Sequence, residues 1–457
     1  MTTTDATRMP VITRAPRTAF APALPSAQLG TPTVPVQIDF DYDVAIVGLG
    51  YVGLPTALAF HHAGSRVLAL DNSAQRIDTI RAHSADLLDD DRTRLLSALD
   101  HPGFVLTADE ELLARAESVI ICVPTPVDEH LVPDLTILRA ACAMVVANAV
   151  EGQLILLTST TYVGCTQDLI VDALSKRGLE AGRDLYVAFS PERIDPGNAA
   201  VSHDDVPRVV GGTTPECEVR AEALLKRYAR SVHVVHSLAA AEMTKLLENT
   251  FRAVNIALAN EFADICRALD LPITEVIDAA STKPYGFMRF MPGPGVGGHC
   301  IPCDPHYLLW QLKTKHVEAP MIRQAMTEIA GRPGRVVDRA RDVLSDAGRG
   351  LVGARVVVVG VAYKPNVADL RESPAIEILA GLRDHGAEVA YVDALIPSIR
   401  MPGGGILTAT SDPSSFNADL VIIHTKHDWA DLSWISPSAM VLDTTYRELS
   451  IPRRILL

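Results

Sequence analysis

The chain has 457 residues, too many for one ordinary domain, and 48% of them are hydrophobic while 21% are charged, so it can form large cores. The net charge of −14 argues against a protein that coats nucleic acid, although a local basic pocket for a small phosphorylated ligand is compatible with it. Apolar runs are too short for a membrane span, no secretory leader is visible, and seven cysteines do not make a disulfide scaffold. We therefore expect a cytoplasmic protein of several domains that binds neither nucleic acid nor membrane.

Residues 1–38 contain six prolines, many threonines, three arginines and a single acid, Asp5. This composition predicts a disordered tail, because the segment offers little apolar surface to bury. An organelle-targeting leader is the functional alternative.

The segment 39–235 alternates strand-like and helical patterns. Its first apolar run, Tyr42 to Val47, is typical of a buried strand, and Gly48 opens a glycine-rich turn directly after it. A helical pattern follows over residues 55–63. Further strand-like runs cover residues 66–70, 118–123, 153–157 and 185–189. This alternation predicts a parallel sheet with helices on both faces.

The segment 236–335 has a different pattern. From 237 to 269, apolar and small residues recur at helical spacing without glycine or proline, which predicts one long helix or two abutting ones. A loop rich in glycine and proline follows over residues 283–305. In the last segment, 336–457, strand-like runs return at 355–360, 388–393, 419–424 and 440–443. We therefore predict an α/β fold with two Rossmann-like, doubly wound lobes joined by a central long-helix segment.

The glycine-rich turn after the first strand has the spacing of a dinucleotide site. Gly48 permits a tight turn, Gly50 lets a pyrophosphate approach bare backbone, and Gly53 lets the following helix pack closely on the strand. The helix N-terminus then presents unpaired N–H groups to the phosphates. Asp71 ends the second run, where a carboxylate accepts hydrogen bonds from ribose hydroxyls and repels a 2′-phosphate. The pattern predicts an NAD site, and a purely structural glycine turn is the alternative.

The stretch 292–305 is the most informative part of the chain. Glycines and prolines precede Cys300, so the loop can wrap closely around a polar ligand, and Asp304 follows four residues later. A thiol in this setting suits nucleophilic catalysis. Its thiolate can add to an aldehyde, and the resulting thiohemiacetal can lose a hydride, which takes the aldehyde on to an acid.

Two other interpretations of Cys300 stay open. Cys303, His299 and His306 could complete half of a zinc site, but the chain has no second cysteine pair, so we predict no metal. A redox dithiol with Cys303 needs a strand-to-helix junction in a small domain, which this context lacks. Cys303 is then either a small apolar filler or a resolving thiol.

Lys245 and Asn249 lie four residues apart in the predicted long helix and project from one face, with Arg252 nearby. Their surroundings are mostly apolar or small, so we expect the lysine to be partly buried. A buried lysine needs an anionic partner or a task, and a solvated helix edge is the alternative.

Five motifs follow one another along the chain. They are Val-Pro-Thr-Pro at 123–126 with Pro-Asp-Leu-Thr at 133–136, Ser-Pro-Glu-Arg-Ile-Asp-Pro-Gly-Asn at 190–198, Ala-Glu-Met-Thr-Lys-Leu-Leu-Glu-Asn at 241–249, the Cys300 loop, and Ala-Tyr-Lys-Pro-Asn-Val-Ala-Asp-Leu-Arg-Glu-Ser at 362–373. With these motifs the chain resembles, from Tyr42 to its C-terminus, the nucleotide-sugar 6-dehydrogenase family, the UDP-glucose/GDP-mannose dehydrogenases.

The resemblance implies a four-electron oxidation of a hexose C6 alcohol to a carboxylate, with two NAD⁺ used in sequence. It makes Cys300 the nucleophile that holds the thiohemiacetal and thioester, and Lys245 and Asn249 the donors to the developing alkoxide. Asp304 would position water or shuttle the proton, and Glu192 would be the general base in thioester hydrolysis. The implied cofactor contacts are Gly48, Gly50, Tyr51, Val52, Gly53, Asp71, Arg76, Thr125, Thr160 and Arg371. The implied substrate contacts are Glu192, Arg193, Lys245, Asn249, Arg252, Met291, Gly293, Gly295, Gly297 and Lys364.

The resemblance also implies domain roles. Segment 39–235 would bind NAD, 336–457 would bind the nucleotide sugar, and 236–335 would hold the catalytic thiol and form a homodimer or larger oligomer. Within the family, His299 and the runs at 190–193 and 248–252 favour the branch that acts on UDP-N-acetylglucosamine or UDP-N-acetylmannosamine.

Two departures keep other substrates open. Thr158 stands where the family often has glutamate, and Thr445 stands where an arginine usually meets the nucleotide. UDP-glucose and TDP-glucose are therefore alternative substrates for the same chemistry. A catalytically inactive sensor of NAD or nucleotide sugar is the alternative from a different class.

Overall fold

The computed structural model describes residues 39–193, 205–298, 300–447, 449, 451 and 453–457, so the predicted tail at 1–38 lies outside the described residues. Within them, the first lobe is built on an eight-stranded sheet with the order β3-β2-β1-β4-β5-β6-β7-β8. Neighbouring strands are parallel except β6 and β7, which are antiparallel. The strands are β1 Tyr42–Val47, β2 Val67–Leu70, β3 Phe104–Thr107, β4 Ala116–Ile121, β5 Leu154–Leu157, β6 Tyr186–Phe189, β7 Arg208–Gly212 and β8 Val232–Val235.

Helices cover both faces of this sheet, as the alternating pattern predicted. Along β1, Val44 and Ile46 pack into the core on one face, while Ala45 and Val47 pack into the core on the other. A strand buried on both sides has to be apolar throughout, which is why its sequence does not alternate. The helices are α1 Gly53–His62, α2 Ala74–Arg81, α3 Asp89–Leu99, a 3₁₀ helix Glu110–Arg115, α4 Thr136–Asn148, a π-helical turn Gln167–Val171, α5 Asp172–Lys176 and α6 Pro215–Leu225.

The central segment consists of four helices: α7 Leu238–Ala268, α8 Ile273–Ser281, α9 Cys300–Lys315 and α10 Pro320–Asp346. The long predicted helix is one continuous helix of 31 residues, and Ser237 caps it by accepting a hydrogen bond from the Ala240 N–H. The predicted loop 283–305 ends earlier than expected, because α9 begins at Cys300. Pro302 is tolerated there, since N–H groups in the first turn have no helical partner. Among the described residues, no helix is both long and apolar enough to cross a membrane.

The second lobe has a five-stranded parallel sheet with the order β10-β9-β13-β14-β15, and a separate hairpin of β11 and β12. The predicted α/β class with two doubly wound lobes is thereby confirmed. The elements are β9 Arg355–Val359, α11 Pro374–Asp384, β10 Glu388–Val392, β11 Ser398–Arg400, β12 Ile406–Thr408, β13 Leu420–Ile423, β14 Met440–Asp443 and β15 Arg454–Leu456.

Candidate active site

The glycine turn after β1 has the geometry that its spacing predicts. Gly48 has a φ of +90°, and a Cβ there would lie 2.8 Å from the Cys122 carbonyl oxygen. A Cβ on Gly53, the first residue of α1, would collide with the Gly48 carbonyl, so close packing of the helix requires glycine. At Gly50 no atom lies within 4 Å of the Cβ position. The turn therefore leaves open space at the point where a pyrophosphate would approach the backbone.

Asp71 follows β2 and lies beside this turn. One carboxylate oxygen accepts a hydrogen bond from the Leu49 N–H at 2.8 Å, and the other accepts one from the Ser73 N–H at 2.9 Å. The Arg76 Nε donates to the Leu49 carbonyl at 2.7 Å. The sequence-predicted acid and Arg76 are thus brought together around Leu49, with the Asp71 carboxylate still partly accessible.

Arg371 connects the second lobe to the glycine turn of the first. Its guanidinium lies 4.4 Å from the centroid of the Tyr51 ring and pairs with Asp369 at 2.7 Å. The neighbouring Val52 precedes α1 and is half-buried. A residue more than 300 positions away in the chain therefore closes over the predicted cofactor site.

Cys300 is the exposed one of the seven cysteines, and the other six are buried. It is the first residue of α9, a helix that is anchored to the first lobe by the Tyr307 hydroxyl, which donates to the Thr125 carbonyl at 3.2 Å. Although the residue keeps accessible surface, the surrounding protein desolvates the thiol and raises its pKa, and the charge of Asp304 adds to this effect. Lys245, Arg371 and Arg252 oppose the rise.

Asp304 lies one helical turn after the thiol and is 2% exposed. Burial raises the pKa of its carboxyl to about 6, against the opposing effects of Lys245, Asn249 and Thr160. The Asn249 amide donates a hydrogen bond to one of its carboxylate oxygens. A buried carboxyl that titrates near neutral pH can both take up and release a proton during a reaction.

Lys245 and Asn249 are both buried on the face of α7 that meets α9. The sequence-predicted pair therefore does not lie on a solvated helix edge. The Lys245 ammonium donates to the main-chain carbonyl of Glu192 at 2.7 Å. Its positive charge is close enough to lower the pKa of both Cys300 and Asp304.

The Glu192 side chain is held away from this lysine contact. Its carboxylate pairs with the guanidinium of Arg208, which is 1% exposed. Arg193 pairs with Glu248 at 2.6 Å. The structure thus brings the Glu192 backbone to Lys245 but commits its carboxylate to Arg208, and its role as a general base stays a prediction.

The loop before Cys300 packs against the second lobe. A Cβ on Gly297 would lie 2.7 Å from the Glu372 carbonyl, and one on Gly295 would lie 2.7 Å from the Pro374 ring. The Gly298 N–H donates to the Arg371 carbonyl at 2.8 Å. These close contacts with the second lobe are enough to require glycine at these positions, whether or not a ligand binds to the loop.

A cleft of about 770 Å³ opens between this loop and the second lobe. Of the predicted substrate contacts, three line it, namely Met291, Gly293 and Gly295. The other seven do not: Glu192, Arg193, Lys245, Asn249, Arg252, Gly297 and Lys364. Four cationic side chains line it as well: Arg289, Lys426, Arg447 and Arg454. Sequence reasoning missed these four. Lys426, Arg447 and Arg454 lie on the second lobe and Arg289 lies on the loop before Cys300, so only the tertiary structure brings them together.

Both departures from the family pattern have a structural role. Thr158 is buried, and its hydroxyl donates to the Ile121 carbonyl at 2.8 Å, so it joins the ends of two strands. The Thr445 hydroxyl donates to Asp443 at 2.8 Å. Asp443 also pairs at 2.6 Å with Arg454, which puts a guanidinium in the cleft despite the threonine at 445.

The zinc and dithiol interpretations rest on neighbours of Cys300. His299 lies outside the described residues. Cys303 is 3% exposed, and burial raises the pKa of its thiol to about 12, which makes it a poor thiolate. Among the described residues no group of three or more metal-binding side chains comes together.

Comparison with known proteins identifies the family. Residues 42–229, 239–328 and 357–446 match the NAD-binding, central and UDP-binding domains of the UDP-glucose/GDP-mannose dehydrogenase family. The chain is 33% identical over 398 residues to a UDP-N-acetyl-D-mannosamine dehydrogenase of Salmonella typhi, covering 84% of this chain and 93% of that one. It is 32% identical over 400 residues to an NDP-N-acetyl-D-galactosaminuronic acid dehydrogenase of Ralstonia solanacearum, covering 86% and 92%.

Solved structures of dehydrogenases that act on nucleotide sugars have a similar fold. A UDP-D-ManNAc dehydrogenase from Pyrococcus horikoshii superposes with a TM-score of 0.82 at 30% identity, covering 90% of this chain and 98% of that one. A UDP-N-acetyl-mannosamine dehydrogenase from Staphylococcus aureus superposes with a TM-score of 0.77 at 28% identity, covering 90% and 97%. This chain therefore belongs to the UDP-glucose/GDP-mannose dehydrogenase family and is an NAD-dependent oxidoreductase that oxidises a nucleotide sugar at C6.

Proposed function

We propose that the enzyme converts a UDP-N-acetylhexosamine to its uronic acid by two successive oxidations at C6, through a covalent intermediate on Cys300. The observation that supports this most strongly is the position of the exposed thiol, beside buried Lys245, Asn249 and Asp304 and at the end of a loop that lines the cationic cleft. The relatives that act on N-acetylated sugars support the choice of substrate.

The first oxidation turns the C6 alcohol into an aldehyde. The turn from Gly48 to Gly53 and the Asp71 carboxylate would hold NAD⁺, which when bound would accept the hydride in each oxidation. Lys245 and Asn249 stabilise the negative charge that develops on the C6 oxygen. The ionised Asp304 takes up the hydroxyl proton, which its pKa of about 6 permits at neutral pH.

The second oxidation needs the thiol. Asp304 first passes the hydroxyl proton to solvent, and its ionised carboxylate then takes the proton of the Cys300 thiol. The resulting thiolate adds to the aldehyde carbon, a C–S bond forms, and the carbonyl oxygen becomes the oxyanion of a thiohemiacetal beside Lys245. Loss of hydride from that carbon gives a thioester. Water, activated by Asp304, then attacks the thioester, the C–S bond breaks, and the carboxylate leaves with the thiol restored.

The cleft is the proposed site of the nucleotide diphosphate. Arg289 is paired with Asp278 at 2.8 Å and Arg454 with Asp443 at 2.6 Å, so their charges are partly neutralised. Lys426 and Arg447 have no acidic partner among the described residues, which leaves two positive charges for two phosphates. This surplus supports a nucleoside diphosphate over an uncharged sugar.

The exposed face of α7 supports a homodimer. Apolar side chains recur on it at spacings of three, four and seven, and each is at least 40% exposed. They are Met243, Leu247, Phe251, Leu258, Phe262, Ile265 and Leu269. A continuous apolar stripe on a 31-residue helix is costly in water and is covered by a second copy of the same helix in the proposed dimer.

Light scattering tests the dimer. Leu247→Arg should give a monomer, while Val352→Arg, a matched change at a residue that is 85% exposed on the second lobe, should leave the mass unchanged. A wild-type monomer would contradict the proposal. The proposed compartment is the cytoplasm, where the seven free cysteines stay reduced.

The substrate test is absorbance at the NADH band with UDP-N-acetylmannosamine, UDP-N-acetylglucosamine, UDP-glucose and TDP-glucose. We expect two NADH per sugar and the highest kcat/KM with an N-acetylated sugar. A preference for UDP-glucose or TDP-glucose would overturn the substrate but keep the chemistry. No NADH with any of them, together with intact NAD⁺ and UDP binding, would favour the inactive sensor.

A further inference from the structure

The loop that leads to Cys300 is held at one residue by two buried side chains from different helices. The Gly293 N–H donates to the Asn260 side-chain oxygen at 2.9 Å, and the Gly293 carbonyl accepts from the Arg332 Nε at 3.0 Å. Asn260 lies on α7 and is 4% exposed, while Arg332 lies on α10 and is 1% exposed. Both the N–H and the carbonyl of Gly293 are therefore fixed by the helical segment rather than by water.

Arg332 is itself held rigidly. Its Nη1 donates to both oxygens of Asp264 at 2.9 Å, which joins α10 to α7. The Nη2 of this guanidinium is buried without a hydrogen-bond partner among the described residues, so Nε and Nη1 make the contacts that hold it, to the Gly293 carbonyl and to Asp264.

The same arginine also lies near the second lobe's wall of the cleft. Burial raises the pKa of Tyr446 to about 12, and the charge of Arg332 acts against that rise. Tyr446 and Gly293 both line the cleft. Arg332 is thus placed among the central helices, the loop and the cleft at once.

We propose that Arg332, held by Asp264, is a positioning residue that fixes the loop 293–298 and thereby sets both the wall of the nucleotide cleft and the placement of the Cys300 thiol. The ion pair acts on the reaction only through the loop. Its loss therefore acts first on binding of the nucleotide sugar and on access to the thiol, and reaches the glycine turn at Gly48 to Gly53 only through the contact of Gly298 with Arg371.

The decisive variant is the double change Arg332→Met with Asp264→Leu. Apolar residues of similar size replace the buried arginine and the half-buried aspartate, which generally preserves stability, but the Gly293 carbonyl loses its donor. Arg335→Gln is the matched control, since Arg335 also pairs with Asp264, at 2.7 Å, yet makes no hydrogen bond or ion pair to the loop in the described structure.

The first measurement is the rate at which iodoacetamide alkylates Cys300, followed by mass spectrometry. The other six cysteines are buried, so the exposed thiol is the one that reacts in the folded protein. We expect several-fold faster alkylation in the double variant and the wild-type rate in Arg335→Gln. An unchanged or slower rate in the folded double variant, or an equal rise in the control, would overturn the proposal.

The second measurement rests on the proposed function. We expect kcat/KM for the UDP-N-acetylhexosamine to fall about 10- to 100-fold in the double variant, with KM raised more for the sugar nucleotide than for NAD⁺. Equal losses for both ligands would contradict a loop-specific role. Because alkylation needs no substrate, it decides the inference even if the substrate proposal fails.

Should the double variant not fold, Arg332→Lys is the second variant, because it keeps the charge and loses the two-acceptor geometry. We expect it to shift both measurements in the same direction as the double variant, and wild-type values in Arg332→Lys would overturn the proposal.

Discussion

The two lobes place an aspartate at the same point of their sheets and use it differently. In the first lobe Asp71 follows β2 and accepts the Leu49 N–H at 2.8 Å; in the second, Asp393 follows β10 and accepts the Val361 N–H at 2.8 Å. In both cases the partner lies in the turn after the neighbouring strand, which begins with a glycine at positive φ. The two sheets therefore share the same local construction.

The difference lies in what else each carboxylate does. Asp393 is buried at 7% exposure and also accepts the N–H groups of Leu395 and Ile396 and, at 3.2 Å, the ring of His427. The Asn366 N–H donates to the other ring nitrogen of His427, so the proton of that ring lies toward Asp393. Asp71 accepts one further N–H and keeps part of its surface. Only the first carboxylate has capacity left for a ligand.

The turns differ in the same sense. In the first lobe Gly50 is open and α1 begins at Gly53, so backbone N–H groups face the turn. In the second, Ala362 and Pro365 occupy the corresponding positions and α11 begins only at Pro374. The chain between them, which includes Arg371, reaches the first lobe instead. The same arrangement of strand, glycine turn and aspartate therefore forms a dinucleotide site in the first lobe. In the second lobe it holds the turn rigidly in place.

The largest effect is expected outside both lobes. Cys300→Ser should reduce formation of the uronic acid by about 1,000-fold or more, because the covalent route to the second oxidation is lost. NAD⁺ and UDP binding, measured by calorimetry, should remain, which would separate chemistry from the two binding lobes. Acid formation at a near wild-type rate would refute the role of the thiol.

The next effect concerns stability and tests the two aspartates as a matched pair. Asp393→Asn should lower the free energy of unfolding by about 3 kcal/mol, since an amide cannot accept all the N–H groups that the buried carboxylate accepts. Asp71→Asn should cost less than about 1 kcal/mol, because that side chain is partly solvated. Urea denaturation measures both, and equal losses would remove the distinction between the lobes.

For cofactor binding, Asp71→Asn and Asp393→Asn should show the reverse order, with the larger effect at Asp71. Asp71→Asn should raise KM for NAD⁺ about tenfold and lower discrimination against NADP⁺, since the charge that repels a 2′-phosphate is gone. Asp393→Asn should leave both constants unchanged in the folded protein. Steady-state kinetics with the two cofactors decide this, and unchanged values for Asp71→Asn would exclude it as the ribose contact.

The smallest expected effect concerns two buried carboxyls, Asp304 and Asp393, whose pKa values are shifted in opposite directions. Burial raises the pKa of both Asp304 and Asp393, but hydrogen bonds from His427 and the backbone bring the pKa of Asp393 below its usual range, whereas Asp304 stays at about 6. In the proposed mechanism ionised Asp304 is the base, so kcat/KM should fall about tenfold per pH unit below 6 and level off above it.

Asn249→Ala sharpens this comparison. It removes a hydrogen bond that lowers the pKa of Asp304, so the midpoint of the pH profile should move to higher pH. A pH profile that does not move in Asn249→Ala would argue against Asp304 as the titrating group.

For Asp393 the pH affects the stability of the fold. Its pKa in the folded protein is depressed, so its contribution to stability is present above about pH 4 and is lost as the pH falls below it.

Much of the site could be predicted because it is local. The order of strand, glycines, helix and Asp71 lies within 30 residues, and the spacing of Lys245 and Asn249 follows from one helix. The thiol was identified from its loop, but the start of α9 at Cys300 was not, because Pro302 and Pro305 disguise the helix. The first turn does not need the N–H that Pro302 lacks, whereas Pro305 lies inside the helix.

What the sequence by itself determined is the fold class, the cofactor turn and the candidate reacting residues, since each depends on neighbours in the chain. Only the tertiary structure decided which charges meet: Arg371 over Tyr51, Arg454 in the cleft, Arg208 on Glu192 and Arg332 on Gly293. Arg208 and Glu192 are 16 residues apart, Arg332 and Gly293 are 39 apart, and Arg371 and Tyr51 are more than 300 apart. Such pairings depend on strand order and helix packing, and the local pattern of a chain holds no record of either.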